Sequence, residues 1–408
     1  MNTPAGGPLT GLTILDLGRV MAAPFATQVL ADLGADVIKI ERPVRGDEMR
    51  HYRPPEVHDQ MGNLTDESVY FLSANRNKKS VTVDFTKPGG RDLILQLSRQ
   101  SDVFLENFKV GDLARFGLDY AGVKAVAPDI IYCSITGFGQ TGPYAKYPGV
   151  DGVFQAMSGL MSVTGQTDGP AQKVGVVIVD IITGLYAAIA VLAGLRNREV
   201  LHGVGQHIDL ALLDSAIAAM SHRAMEFLVT GQVPAKIGSG TQGSVPSQMF
   251  TCQDGELHVA AGADVRFRSL CNVIGLPNLC EDARFRLRPD RVANKDALIE
   301  LLAPVFKTNT VAFWFESLTK AGVMVSPLYN LEQVFGDRQV QHRELRRDVR
   351  HHTLGDLALV ANPIRFSETP IDAYVPPPTL GQHTDEVLKN YLDFQPDQIA
   401  ELRKSGAI

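Results

Sequence analysis

Asp180 interrupts the most apolar stretch of the chain, Val174 to Leu195. A lone carboxylate between apolar runs is costly to bury unless it is hydrogen-bonded or reaches water. Two roles suit such a residue. Asp is a favoured N-cap, its oxygens accepting the orphan N–H groups of a helix start. A carboxylate that opens a helix at the carboxyl end of a strand also faces the ligand crevice of an α/β sheet and is kept ionised by the helix dipole, which suits a nucleophile. Asp151, in Gly149-Val150-Asp151-Gly152, is a second carboxylate, either assisting the first or solvated in its loop.

The basic residues form a second group. Arg42 follows the second predicted strand, Asn75-Arg76-Asn77-Lys78-Lys79 precedes the third, and Asn107 and Phe108 follow the fourth, with Arg115 a little further on. Taken singly, each cation reads as a solvated surface charge. Their repeated placement beside strands fits a site that holds phosphates and stacks an adenine. Gly137-Phe138-Gly139-Gln140-Thr141-Gly142 matches G-x-G-x-x-G after a strand, but Pro143 and Pro148 follow, and a dinucleotide fingerprint needs a helix to open there. The segment is read as a turn-forming loop.

These residues need a scaffold. Short apolar β-prone runs at 12–17, 36–40, 80–84, 102–106 and 129–135 alternate with helical patterns at 24–33 and 89–100, which predicts a parallel sheet wrapped by helices. A strand is expected at 174–179, then helices over 181–196 and 208–225. Gly238-Ser239-Gly240-Thr241-Gln242-Gly243 breaks the pattern. A turn at Gln253-Asp254-Gly255-Glu256 predicts a hairpin between 249–252 and 257–260. The domains expected are a large one over 1–225, a small α+β one over 226–330, and a C-terminal segment over 331–408, with a last helix at 384–392.

The 408 residues are 45% apolar and 21% charged, ordinary globular values. A net charge of −6 speaks against a nucleic-acid partner but not against one anionic ligand in a local basic pocket. The four cysteines form no C-x-x-C pair, so a zinc site or disulfide framework is not expected. No secretory signal is visible, and the uncharged run 181–195 is shorter than the roughly 20 residues of a membrane span. The expectation is a cytoplasmic protein with no membrane partner.

The chain resembles the family III CoA-transferases. The likeness lies in Leu15 to Val20, Leu30 to Pro43, Asn75 to Ser80, Glu106-Asn107-Phe108, Thr136 to Tyr144, Ser158 to Met161 and Asp180 to Gly184. It implies a Rossmann-like large domain completed by the C-terminal segment, a small domain, and a homodimer of two interlocked rings. It implies that Asp180 is the nucleophile, that the glycine segment around Gly240 closes over it with backbone N–H groups facing the oxyanion, and that Asp151 assists. It places CoA on Val20, Arg42, Lys78, Asn107, Phe108 and Arg115. No metal or resident cofactor is implied; the CoA thioester is a substrate. Met21 stands where formyl-CoA transferase has Gln, which weakens a formate or oxalate assignment. The related α-methylacyl-CoA racemases carry Gly-His-Asp where this chain has Gly149-Val150-Asp151, and valine transfers no proton. A non-catalytic acyl-CoA-binding protein is the other alternative, and Asp180 argues against it. Arg53-Pro54-Pro55 and the 376–384 segment most resemble the succinyl-CoA–glutarate branch, whose substrates carry a second carboxylate. Arg53, Arg76 and Arg223 are the candidate partners for it.

Overall fold

The computed structural model describes residues 6–200 and 203–408. They form two compact units, one of 6–160, 173–200, 203–230 and 341–408, the other of 161–172 and 231–340. The second therefore begins at 231 rather than 226 and runs to 340 rather than 330. It also takes in 161–172, which the sequence reading placed in the first.

The first unit is built on six parallel strands: β1 (Thr13–Asp16), β2 (Asp36–Glu41), β3 (Lys78–Thr82), β4 (Val103–Glu106), β5 (Ile131–Thr136) and β6 (Gln206–Ala211). Their order is β3-β2-β1-β4-β5-β6. The order reverses beside β1, so the carboxyl ends of β1 and β4 border a crevice where ligands of doubly wound sheets bind. The central strands are buried on both faces, as β1 and β4 show with hardly an exposed residue.

One face is covered by α1 (Ala22–Asp32) and the long α4 (Ile178–Val200), the other by α2 (Pro88–Arg99) and the C-terminal α9 (Thr384–Leu392), with α3 (Asp151–Met157) and α5 (Leu212–Ala219) beside the first face. A stripe of small residues lets α4 approach α1 closely. A Cβ on Gly184 would lie 2.7 Å from the Ala22 carbonyl oxygen. By length and composition α4 could cross a membrane, with a mean hydropathy of 2.2. The run expected from sequence is too short only because it ends at Asp180, whereas the helix includes that residue and begins at Ile178. Half of it is packed inside the protein, with Ala187, Val191 and Leu195 in the sheet-covering core.

Two expectations over 174–225 are corrected. Residues 174–177 are loop, and α4 already starts at Ile178. A short apolar run does not distinguish strand from helix by periodicity. Here the buried Gln155 takes up the backbone, its Oε1 accepting from Val174 N at 2.8 Å. The predicted helix over 208–225 is the edge strand β6 followed by α5 and a helix at Ser221–Thr230. Ile208 and Leu210 pack on the core while His207 and Asp209 alternate with them, a period of two that the sequence carries.

The second unit has its own core. Its antiparallel sheet joins β7 (Ser247–Thr251), β8 (Glu256–Ala260) and β9 (Met324–Pro327), with the predicted hairpin between the first two. The sheet packs on α6 (Asp264–Val273), α7 (Lys295–Phe306) and α8 (Val311–Lys320) through Leu257, Val259, Phe267, Leu302 and Trp314. Back in the first unit, residues 346–351 and 355–360 form a two-stranded antiparallel hairpin that the sequence reading did not anticipate.

Candidate active site

Asp180 sits in the first turn of α4 and is 9% exposed. It is not the N-cap. That work falls to Asp151, at the start of α3: its Oδ1 accepts from Val179 N at 2.8 Å and from Asp180 N at 3.4 Å. Gln155, one turn along α3, donates from Nε2 to Asp151 Oδ2 at 2.6 Å. The pair therefore does two jobs: Asp151 satisfies orphan donors of α4, and Gln155 orients Asp151 and ties down the strand-like segment before it. Gln155 was missed from sequence, although its i,i+4 spacing from Asp151 on a helix was legible.

No hydrogen bond to the Asp180 carboxylate exists among the described residues. Burial, and after it the charge of Asp151, pushes the Asp180 pKa up to about 7. This carboxyl is desolvated, unpaired and next to a like charge, an arrangement that raises the energy of the anion and its reactivity.

The buried charges gathered around Asp16, at the carboxyl end of β1, are the opposite case. Lys78 and Asp16 are buried and paired at 3.2 Å, and Lys78 also donates to Pro24 O at 2.8 Å and Asn75 Oδ1 at 2.9 Å. All three ammonium protons are used, and burial lowers the Lys78 pKa to about 8. Lys39 pairs with Asp47 at 2.9 Å. Burial opposes its charge, and Asp47, Asp16 and Glu41 more than offset this, so its pKa is raised. Arg50 clasps Glu41 with Nε and Nη2 at 2.7 and 2.8 Å; burial works against the Glu41 anion, but Arg50 and Lys39 hold its pKa down at about 2.

Above this network is a cavity of about 460 Å³ lined by Arg19, Arg42, Arg45, His51, Phe85 and Phe108 among others. Arg42 is exposed and makes no ion pair among the described residues. The Arg19 guanidinium lies 4.2 Å from the Phe108 ring centre, and Asn107 grips the Arg19 backbone from both sides, accepting from its N at 2.8 Å and donating to its O at 2.7 Å. Val20, just before α1, is held at φ 67° and donates its N–H to Asp47 Oδ1 at 3.1 Å. A β-branched residue in that region is strained and persists only where its surroundings over-determine it.

Of the six residues expected to meet CoA, Arg42 and Phe108 thus line one cavity, and Val20 and Asn107 shape its rim. Lys78 is beneath, its donors saturated, so it serves Asp16 and not a solvent-side phosphate. Arg115 is exposed and lines a shallower hollow of about 400 Å³ that shares Phe85 and Thr86 with the first. Arg19 and Arg45 were missed, because nothing in their spacing sets them apart from surface cations.

The three substrate arginines fare worse. Arg76 is buried and holds Asp32 with two bonds of 2.9 and 2.5 Å. Arg223 pairs with Glu226 at 2.8 Å. Arg53 donates to the Thr65 carbonyl and lies 3.8 Å from Asp66. All three are engaged in internal contacts. In the second unit the Gly240 N–H, expected to face an oxyanion, donates to Ile237 O at 3.1 Å and closes a turn. Gly238 and Gly243, at φ 60° and 68°, supply the left-handed residues of that segment. The G-x-G-x-x-G segment is a turn region; the next helix is α3 at Asp151.

The sequence pattern of CoA-transferase family III matches residues 9–384. Human succinyl-CoA:glutarate CoA-transferase is 41% identical over 402 residues, which is 98% of this chain and 90% of that one. The succinate–glutarate CoA-transferase of Agrobacterium fabrum is 40% identical over 386 residues, 93% of this chain and 95% of its own. The crystal structure of a CAIB/BAIF family protein from Brucella suis superposes with a TM-score of 0.85 at 38% identity, covering 95% of this chain and all of that one. With its doubly wound sheet and matched length, this chain is a member of CoA-transferase family III.

Proposed function

We propose that this enzyme moves CoA from succinyl-CoA to a second dicarboxylic acid, with Asp180 as the covalent carrier. The observation that carries this is the Asp180 carboxylate: buried, without a hydrogen bond among the described residues, and set at the start of α4, whose first N–H groups Asp151 caps. The anion attacks the thioester carbonyl of the donor and expels CoA thiolate, which leaves a mixed anhydride between Asp180 and the acyl group. The thiolate attacks the Asp180 carbonyl, giving an aspartyl-CoA thioester and releasing the first acid. The acceptor carboxylate attacks that thioester, forming a new anhydride and freeing the thiolate again. Attack of the thiolate on the new acyl carbonyl releases the product thioester and restores Asp180. Each step exchanges one carboxyl bond for another, so no outside energy source enters. Arg42, with Arg19 and Phe108, is positioned to hold the phosphates and base of CoA, and no residue of this set needs a metal.

Glutarate, itaconate, mesaconate, malate and citramalate are the acceptor class; the names of the relatives support dicarboxylates, and two copies of the chain interlocked as rings are the assembly this reading expects. The test is mass spectrometry of enzyme incubated with succinyl-CoA and hydroxylamine or borohydride. A mass change confined to the peptide holding Asp180 is the expected result. An unmodified peptide, or full turnover by Asp180→Ala, would sink the mechanism.

A further inference from the structure

Glu106 is a buried carboxylate of the first unit that the transfer chemistry leaves unassigned. It is the last residue of β4 and is 5% exposed. Unlike Asp16, Asp32, Glu41 and Asp47, it makes no ion pair among the described residues. Its partners are hydrogen-bond donors. Phe108 N–H donates to Glu106 Oε2 at 2.7 Å, the length of a charge-assisted bond. The Ser134 hydroxyl, on the neighbouring strand β5, donates to the same carboxyl. A carboxylate has no proton to give, so Ser134 in turn accepts from His207 Nε2, 2.9 Å from its Oγ.

The bond to Phe108 fixes one wall of the 460 Å³ cavity. Residues 107–109 belong to no helix or strand, and the Phe108 N–H is held by the Glu106 side chain. Asn107 grips the Arg19 backbone, and the Phe108 ring centre lies 4.2 Å from the Arg19 guanidinium. The Phe85 ring meets the Phe108 ring edge-on at 5.5 Å. Arg19, Phe85 and Phe108 all line the cavity, whereas Glu106 is behind them.

We propose that Glu106 is a positioning residue for acyl-CoA: as the anion it anchors the Phe108 N–H, and through the Phe108 ring it holds Arg19 in the cavity wall. This rests on the reading of the cavity as the CoA site. Burial pushes the Glu106 pKa up to about 7. Ser134, the Phe108 N–H and the charge of Arg19, after β1, work against burial, and Asp209 of β6 works with it. Tyr132 and Cys133 of β5 have their pKa raised by burial, and His207 of β6 has its own lowered by burial, so all three stay neutral around Glu106. The anchor is therefore charged above pH 7 and neutral, hence weaker, below it.

The experiment is calorimetric titration of the full-length enzyme with CoA at pH 6 and pH 8, wild type against Glu106→Gln. Gln keeps an oxygen for Phe108 N and lacks the charge, so it stands for the protonated acid. The Kd of Glu106→Gln is expected to exceed that of wild type about threefold to tenfold at pH 8, the difference between a charged and a neutral hydrogen bond, and to approach it at pH 6. Contributions of His51 and of the CoA phosphates are common to both proteins and cancel in the ratio. In turnover at pH 8, KM for acyl-CoA rises and kcat does not change. A ratio equal at the two pH values, which a merely structural role would give, overturns the proposal, as does no loss of affinity at pH 8. Should Glu106→Gln fail to fold, Phe108→Ala carries the test: its Kd relative to wild type is larger at pH 8 than at pH 6, and a constant ratio overturns the proposal. A wild-type enzyme that binds no CoA, or an Arg42→Gln enzyme that binds it equally well, overturns the reading of the cavity and the proposal with it. CoA binding that Arg42→Gln weakens and Glu106→Gln leaves unchanged overturns the role of Glu106 alone, so the two failures are distinct.

Discussion

Two buried carboxylates of the first unit, Asp16 and Asp180, are treated in opposite ways. Asp16, at the carboxyl end of β1, accepts from Gly18 N at 2.7 Å, Thr27 Oγ1 at 2.6 Å and Lys78 Nζ at 3.2 Å. Both of its oxygens have donors, and its charge has a counter-charge. Among the described residues Asp180 has neither, and the charge that acts on it is that of another carboxylate, Asp151. Buried charge is tolerated in proteins when it is paired. The fold meets that condition at the network under the 460 Å³ cavity and leaves it unmet at one helix start. The first arrangement fixes loops; the second stores the reactivity of an anion that is poorly solvated.

The contrast predicts opposite stability effects for the same substitution. Asp16→Asn removes the counter-charge of Lys78 and leaves an ammonium buried in its place, a change that costs about 3–5 kcal/mol. Asp180→Asn goes the other way. The folded pKa of about 7 exceeds the unfolded value of about 3.9, so the native state binds the extra proton and stability falls as pH rises from 4 to 7. Above pH 7 the wild type carries the full cost of the buried anion, as much as about 4 kcal/mol, and the Asn variant carries none. Denaturant unfolding at pH 8 checks both: Asp16→Asn shifts to lower midpoint and Asp180→Asn to higher. An Asp180→Asn protein less stable than wild type at pH 8 would mean that the carboxylate has a partner after all.

Arg42 probes the network from its solvent side. Unlike Lys78 beneath it, Arg42 is exposed and unpaired, so it contributes little to folding and is free to meet a phosphate. Arg42→Gln raises KM for acyl-CoA about tenfold, the lower end for a charged hydrogen bond partly screened by water. Its unfolding free energy stays within about 0.5 kcal/mol of wild type, as at other surface positions. The matched change Lys78→Gln reverses the pattern, with a large stability loss. Equal KM in wild type and Arg42→Gln would remove Arg42 from the CoA site.

The sequence made the parallel sheet legible because buried strands read as short apolar runs between helical patterns, and β1 to β5 lie within two residues of their expected places. It failed where one signal serves two structures. Val174 to Val179 has strand composition, yet Gln155 captures its backbone and the helix begins early. Asp180 was legible as an isolated charge in an apolar run, but its division of labour with Asp151 was not: both residue types cap helices, and only the fold decides which one faces the orphan N–H groups. The cations were hardest. Arg76, Lys78 and Arg42 look alike in a sequence, and what separates them is whether Asp32 or Asp16 waits opposite, a long-range fact with no local trace.

The finest test of the contrast acts on Asp151, because it alters the field at Asp180 without removing the nucleophile. Attack on a thioester requires the Asp180 anion, so kcat/KM rises with pH and levels off above a midpoint near 7. Burial is the larger cause of that high midpoint, and the Asp151 charge the smaller one. Asp151→Asn keeps a side-chain oxygen for Val179 N and Asp180 N while removing the charge, and Asn is as good a cap as Asp; its NH2 group takes the place of the Oδ2 that accepted from Gln155, so that one bond is lost. The acid limb of the profile therefore moves to lower pH by about one unit or less, still above the ordinary range of an Asp, because burial remains. Asp151→Ala loses the cap as well and lowers activity across the whole profile, not only on its acid side. An acid limb that stays in place in Asp151→Asn would show that the charge of Asp151 does not reach Asp180, and that Asp151 acts only as the cap of α4.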